Sequence, residues 1–175
     1  MGGNLMLDTS PRILETVRRF WGFDTLRPLQ DQAIRAGIDH RDSLVVLPTG
    51  GGKSLCYQVP ALMSKGLTIV VSPLISLMQD QVGALRRRGI PAAYVNSQLG
   101  ADQRRVVLEA ATSGRLALLY CAPERLASLT RRLCDRGTVV SLLAIDEAHC
   151  ITEWGNEFRS EERRVGKECR SRWEP

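Results

Sequence analysis

The sequence predicts an α/β fold in which a parallel β-sheet is covered by helices on both faces. Three observations carry that expectation. Short, continuous apolar runs alternate with stretches of helical periodicity along most of the chain. Those runs lack an in-out alternation, as expected of strands buried on both sides. One of them leads directly into a glycine-rich loop followed by a helical stretch.

The first helix is expected from about Pro11, where Ser10-Pro11 supplies a cap and a proline at the first helical position, and Ile13, Leu14, Val17, Phe20 and Trp21 follow at helical spacing. A second helical stretch follows Pro28 through Ile34 and Ile38. Ser43 to Leu47 then reads as a short buried strand ending in Pro48-Thr49-Gly50-Gly51-Gly52. Beyond the loop the alternation repeats: strand Leu67 to Val71, helix Leu74 to Arg88, strand Ala92 to Val95, helix Ala101 to Ala111, strand Leu116 to Tyr120, helix Glu124 to Leu133, and strand Val139 to Ile145. In sheets of this kind ligands bind beyond the carboxyl ends of the strands.

Composition bounds the function. With 175 residues, 43% hydrophobic and 25% charged, the chain has one domain's length and an ordinary globular content, which excludes disordered, collagenous and coiled-coil classes. No apolar run approaches the roughly 18 to 20 residues needed to cross a bilayer, so no membrane partner is expected. Met1 to Met6 has neither a basic-then-apolar leader nor the Ser or Thr that a myristoylation signal wants where Met6 stands, and the expected location is cytoplasmic. The cysteines, Cys56, Cys121, Cys134, Cys150 and Cys169, are odd in number and show no C-x-x-C spacing; free thiols are expected rather than a disulfide framework or a zinc site. A formal charge of +5 is compatible with a polyanionic partner such as nucleic acid.

Leu47 to Ser54 fills the G-x-x-x-x-G-K-[ST] frame except at its first position, where Leu47 replaces glycine. Glycines let successive backbone N–H groups turn towards phosphate oxygens with no Cβ in the way, at the positive end of the following helix. Lys53 would reach the β- and γ-phosphates, and the hydroxyl of Ser54 would serve Mg²⁺, a hard ion that prefers oxygen. A flexible turn between strand and helix is the plainer alternative. Leu142 to Ile145 then ends in Asp146-Glu147, two carboxylates closing an apolar strand. Asp146 would hold Mg²⁺ and Glu147 would orient the attacking water for in-line displacement at the γ-phosphorus, although the pair also suits a simple helix cap. Together the two motifs specify a P-loop NTPase.

Asp146-Glu147-Ala148-His149 resembles the signature of superfamily 2 helicases, and the surrounding words are similar to those of the RecQ DNA helicases. Phe20-Trp21-Gly22-Phe23 with Leu26-Arg27-Pro28-Leu29-Gln30 resembles that family's adenine-recognition motif, Leu47 to Tyr57 its motif I, and Val71 to Met78 its motif Ia. Tyr120 to Leu126 matches a later motif, and Cys150 to Arg159 resembles the aromatic-rich loop that couples single-stranded DNA to ATP hydrolysis. The resemblance covers about residues 11 to 159. It implies a RecA-like lobe that binds ATP and Mg²⁺ and belongs to a motor translocating 3′ to 5′ on single-stranded DNA and unwinding duplex.

By that resemblance Gln30 reads the adenine edge with its amide, Arg27 helps to hold it, and Thr49, Gly50, Gly51, Gly52, Lys53 and Ser54 form the phosphate cradle. On periodicity alone Gln30 is equally a solvated helix residue. His149 has no second His or Cys at metal-ligand spacing, and the resemblance makes it a link between the nucleotide site and the rest of the motor. Trp154 and Phe158, four apart, suit a shared helical face in a core; in a polar loop after the acidic motif they instead suit stacking on bases, with Arg159 beside them. Thr152, Glu153, Asn156 and Glu157 depart from the family's usual Ser, Gln, His and Asp, and Asn cannot carry the charge that a His can. Arg86-Arg87-Arg88 is read as a solvated helix end, and His40-Arg41-Asp42 as a turn.

The text changes after Phe158. Residues 159–175 carry six basic and four acidic side chains with no apolar periodicity, so they should not pack. Ser160 stands where the family usually has Pro, and Arg159 to Trp173 resembles a translated sequencing-library adapter. The organisation expected is therefore a truncated helicase ATP-binding lobe over 1–158, incomplete at its C-terminal end, and a disordered non-native tail over 159–175; a basic nucleic-acid-binding tail is the competing reading. The second RecA-like lobe would be a partner within the parent chain, and this fragment alone would at most bind nucleotide and touch DNA weakly. An RNA helicase of the DEAD/DEAH type and a non-enzymatic nucleotide-binding fragment are the alternatives.

Overall fold

The computed structural model describes residues 10–48 and 50–152, which divide between two compact units meeting in sequence at Met63 and Ser64. The first unit is helical: α1 Ser10–Trp21, α2 Gln30–Ile38 and α3 Leu55–Met63. In α1, Ile13 and Val17 lie one turn apart and are fully buried, and with Ile34, Leu55 and Val59 they form a small core edged by Trp21, Leu26, Ile38 and Met63. The contact between α2 and α3 is close because Gly37 faces the ring of Pro60: a Cβ at Gly37 would stand 2.9 Å from Pro60 Cγ.

The second unit is a four-stranded sheet with its helices: β1 Leu67–Val71, α4 Ile75–Arg87, β2 Ala92–Val95, α5 Ala101–Thr112, β3 Leu118–Cys121, α6 Leu126–Asp135 and β4 Val140–Ile145. The strand order is β2-β3-β1-β4 and every pairing is parallel. β1 is buried along its whole length, as its Leu-Thr-Ile-Val-Val sequence anticipates for a central strand. Successive side chains point to opposite faces. Leu67, Ile69, Val71, Ala93, Val95, Leu119 and Cys121 share one face, where Leu108 and Ala111 of α5 and Leu126, Leu129 and Leu133 of α6 close the core. Tyr120 points the other way and meets α4, so helices cover both faces. The register aligns Val95, Cys121, Val71 and Ile145, which places the carboxyl ends of all four strands along one edge.

The element order matches the expected alternation, with shifts of one or two residues at most ends. Pro123 starts a single 3₁₀ turn, Pro123–Arg125, so α6 begins at Leu126 rather than at Glu124. One expectation is corrected. Ser43 to Leu47 is not a strand of the sheet: it belongs to no ladder, and Leu44 and Val46 are 83% and 79% exposed. A strand is held by its neighbours' hydrogen bonds, so apolar composition alone does not create one. β4, the strand at one end of the order, is only half-buried throughout.

Among the described residues Cys56, Cys121, Cys134 and Cys150 form no disulfide. Burial, with a smaller contribution from the Glu124 carboxylate, pushes the Cys121 thiol up to about 12. No helix of the described residues is long and apolar enough to cross a membrane.

Candidate functional site

In the first unit the loop before α3 takes the shape its glycines permit. Gly50 and Gly52 have φ of 74° and 79°, in the left-handed region that side chains with a Cβ rarely adopt. Gly51 is excluded from carrying a side chain for a different reason, since a Cβ there would stand 2.7 Å from the carbonyl oxygen of Pro48. The loop's carbonyls are engaged by the chain itself: Gly51 N–H donates to Pro48 O at 2.9 Å, Arg27 Nη1 to Gly50 O, and Gln30 Nε2 to Gly51 O and Gly52 O at 3.3 and 3.1 Å. The backbone N–H groups of Gly52, Lys53 and Ser54 have no such partner among the described residues. Carbonyls tied back and amides left over make a cradle suited to an anion.

Gln30 is the brace of that loop. It is 2% exposed, and its Oε1 accepts from the backbone N–H of Arg27 at 2.8 Å while Nε2 serves the two glycine carbonyls. The residue before it, Leu29, holds a left-handed φ of 70°, strained for a leucine, and so turns the chain into α2 at this point. Both ends of the Gln30 amide are thus occupied within the chain, and contact with a base requires an exchange of these bonds.

In the second unit the acidic pair closes β4 at the edge where the strands end. Asp146 is 8% exposed and its N–H continues the ladder, donating to Val71 O at 2.8 Å. Its carboxylate is held at both oxygens: Oδ1 accepts from Glu147 N–H at 3.1 Å and Oδ2 from Gln81 Nε2 at 3.1 Å. Glu147 has a left-handed φ of 52°, a strained backbone immediately beside the buried carboxylate. Its Oε2 lies 3.3 Å from Nδ1 of the exposed His149.

The Ser54 hydroxyl in the first unit and the Asp146 carboxylate in the second are each hard oxygen donors, of the kind Mg²⁺ prefers and a softer ion does not. Among the described residues no group of three or more His, Cys, Asp and Glu is gathered for a metal. Mg²⁺ does not need one, because it commonly takes one or two protein oxygens together with substrate phosphates and water.

Arg27 and Gln30, expected at the adenine, lie against the glycines of the loop expected at the phosphates, and Asp146, Glu147 and His149 lie together after β4. Thr49, Trp154, Phe158 and Arg159 lie outside the described residues. Two residues escaped the sequence reading. Gln81 sits on the apolar stripe of α4 beside the buried Met78, Val82 and Leu85, and Tyr120 carries a hydroxyl into a fully buried strand. A polar atom at such a position needs a partner, and Tyr120 Oη donates to Gln81 Oε1 at 2.8 Å.

Comparison with known proteins gives a consistent result. The model of the family described as DEAD/DEAH box helicase matches residues 27–174. Among curated proteins, the chain is 49% identical over 154 residues to the ATP-dependent DNA helicase RecQ of Synechocystis, covering 87% of this chain and 32% of that protein. It is 46% identical to RecQ of Bacillus subtilis, covering 88% of this chain and 26% of the relative. The chain therefore spans a third or less of the length of these relatives. Among solved structures, the helicase MrfA bound to DNA and AMPPNP superposes with a TM-score of 0.72 at 24% identity, covering 91% of this chain and 24% of that one. A hypothetical ATP-dependent RNA helicase from Sulfolobus tokodaii gives 0.64 at 20% identity, covering 89% of this chain and 46% of its own. At these identities the two structures speak for the fold.

Proposed function

Because the chain belongs to the DEAD/DEAH box helicase family, we propose that it is the ATP-binding lobe of a RecQ-like DNA helicase, which couples ATP hydrolysis to 3′ to 5′ movement on single-stranded DNA and to duplex unwinding. The observation that carries the nucleotide half of this reading is the loop from Gly50 to Ser54, whose carbonyls are tied back by Arg27 and Gln30 and whose remaining amides suit phosphate oxygens. The identity to RecQ relatives carries the DNA half.

In this proposal Lys53 places its charge on the β- and γ-phosphates, and Ser54 and Asp146 hold Mg²⁺. When bound, the ion neutralises charge on the phosphates undergoing displacement. Glu147 orients and polarises the attacking water, and His149, in contact with Glu147, links that carboxylate to the rest of the motor. Gln30 reads the adenine by exchanging its bonds to the loop for bonds to the base. Trp154 and Phe158 couple DNA to hydrolysis, and an arginine at position 159 joins them only if the native frame keeps it. The complete protein is proposed to carry a second RecA-like lobe and to work in the cytoplasm.

Residues 159–175 are proposed to be foreign to the protein; the family match runs on to residue 174, so the matter is put to direct sequencing of the coding region from adapter-free DNA. A reading frame that departs after codon 158 supports the proposal, and an unchanged frame removes it.

The nucleotide assignment is tested by fluorescence titration of an ATP analogue. Lys53→Ala is expected to abolish binding while leaving the fold intact by circular dichroism; unchanged affinity defeats the assignment. The polarity is tested with partial duplexes, where unwinding is expected with a 3′ single-stranded overhang. Unwinding from a 5′ overhang alone contradicts it.

A further inference from the structure

The Asp146 carboxylate is the end of a hydrogen-bonded chain that begins in the core of the sheet. Tyr120 on β3 is fully buried, and its hydroxyl meets Gln81 Oε1 at 2.8 Å; Gln81, on α4, meets Asp146 Oδ2 at 3.1 Å through Nε2. The directions along this chain are fixed by chemistry. An ionised carboxylate only accepts, so Gln81 must present its NH₂ group to Asp146, which leaves its carbonyl oxygen facing Tyr120 and requires the phenol to donate. Flipping the amide would set a carbonyl oxygen against the carboxylate. The carboxylate therefore fixes the amide orientation, and the phenol, donating to the carbonyl oxygen left over, braces it.

Both oxygens of Asp146 are held, one by the Glu147 N–H and the other by Gln81. The backbone contact arises from the adjacent residue, whereas Gln81 reaches the carboxylate from a different element across a sequence separation of 65.

We propose that Gln81, braced by Tyr120, is a positioning residue for the Asp146 carboxylate and sets its aim towards the divalent ion. This rests on the reading above that Asp146 holds Mg²⁺. Partners that orient a metal ligand in this manner commonly change metal affinity by about 10- to 100-fold when removed.

The test uses the complete protein and reads binding rather than turnover. Mn²⁺, as a spectroscopic stand-in for Mg²⁺, is titrated into the protein saturated with a non-hydrolysable ATP analogue, and bound ion is followed by electron paramagnetic resonance. Gln81→Leu is expected to raise the Mn²⁺ concentration for half-saturation by about 10- to 100-fold. Tyr120→Phe, which deletes one hydroxyl and keeps the packing, is expected to move it in the same direction by about 3- to 10-fold, as for the loss of one net hydrogen bond. Asp146→Asn should abolish the response, and adding Gln81→Leu to Asp146→Asn should change nothing further, because the two residues act as one unit.

A purely structural role for Gln81 predicts a lower melting temperature with unchanged half-saturation, and that result overturns the inference. If Gln81→Leu does not fold, Tyr120→Phe decides alone. Loss of Mn²⁺ binding in Asp146→Asn with no change in Gln81→Leu or Tyr120→Phe removes the positioning role and leaves the assignment of Asp146 standing; full Mn²⁺ binding by Asp146→Asn removes both.

Discussion

Gly52 carries two constraints at once, since its φ of 79° excludes most side chains and a Cβ there would collide with the Nε2 of Gln30. Gly52→Ala is therefore expected to displace the brace as well as strain the loop, and to weaken binding of an ATP analogue by more than about tenfold, given that a misplaced donor loses most of its hydrogen bond. Gly114 is the control: its φ is 71° but open space surrounds it, so Gly114→Ala should cost about 1 kcal/mol of stability and leave nucleotide affinity unchanged. At Cys121 the thiol sits far above its ordinary value of 9.0, at about 12, because burial disfavours the thiolate. The folded state therefore holds this proton while the unfolded chain releases it, and stability should fall as pH rises from about 9 towards 12. Urea melts across that range should show the loss, and Cys121→Ala should remove this contribution to the slope.

Among the elements, the α2–α3 contact is set by the smallest residue in it. Gly37→Ala places a methyl 2.9 Å from Pro60 Cγ and 3.2 Å from its Cβ, so the two helices must separate; the expected cost is about 1–3 kcal/mol, read as a lower melting temperature. The repeating elements were legible in the sequence because two periodicities alternate in it. Leu-Thr-Ile-Val-Val at β1 and the Met78, Val82, Leu85 stripe on α4 each announce their form and their buried face. Ser43 to Leu47 has the composition of a strand and is not one, because pairing is a property of neighbours rather than of the run itself. Gly50 to Ser54 and Asp146-Glu147 stand out in the sequence for another reason: the phosphate and metal chemistry proposed for them demands residue types at fixed spacing. Gln81 was not, since its partners Tyr120 and Asp146 are remote in sequence and only the packing of α4 on the sheet brings them together.

For the whole molecule, the sequence carries the family and the structure carries the architecture. Family membership follows from the match over residues 27–174, and the parallel sheet with its strand ends aligned gives Asp146 the position that this architecture reserves for ligands. The proposed preference for DNA over RNA rests instead on the RecQ relatives and on the aromatic words after His149, and the proposed function depends on it most. The most direct test is ATP hydrolysis by the complete protein, measured without nucleic acid, with single-stranded DNA and with RNA of the same length, for the wild type and for Lys53→Ala. Strong stimulation by single-stranded DNA, little by RNA, and none of either in Lys53→Ala is the result predicted; stimulation by RNA alone, or hydrolysis indifferent to both, would contradict it.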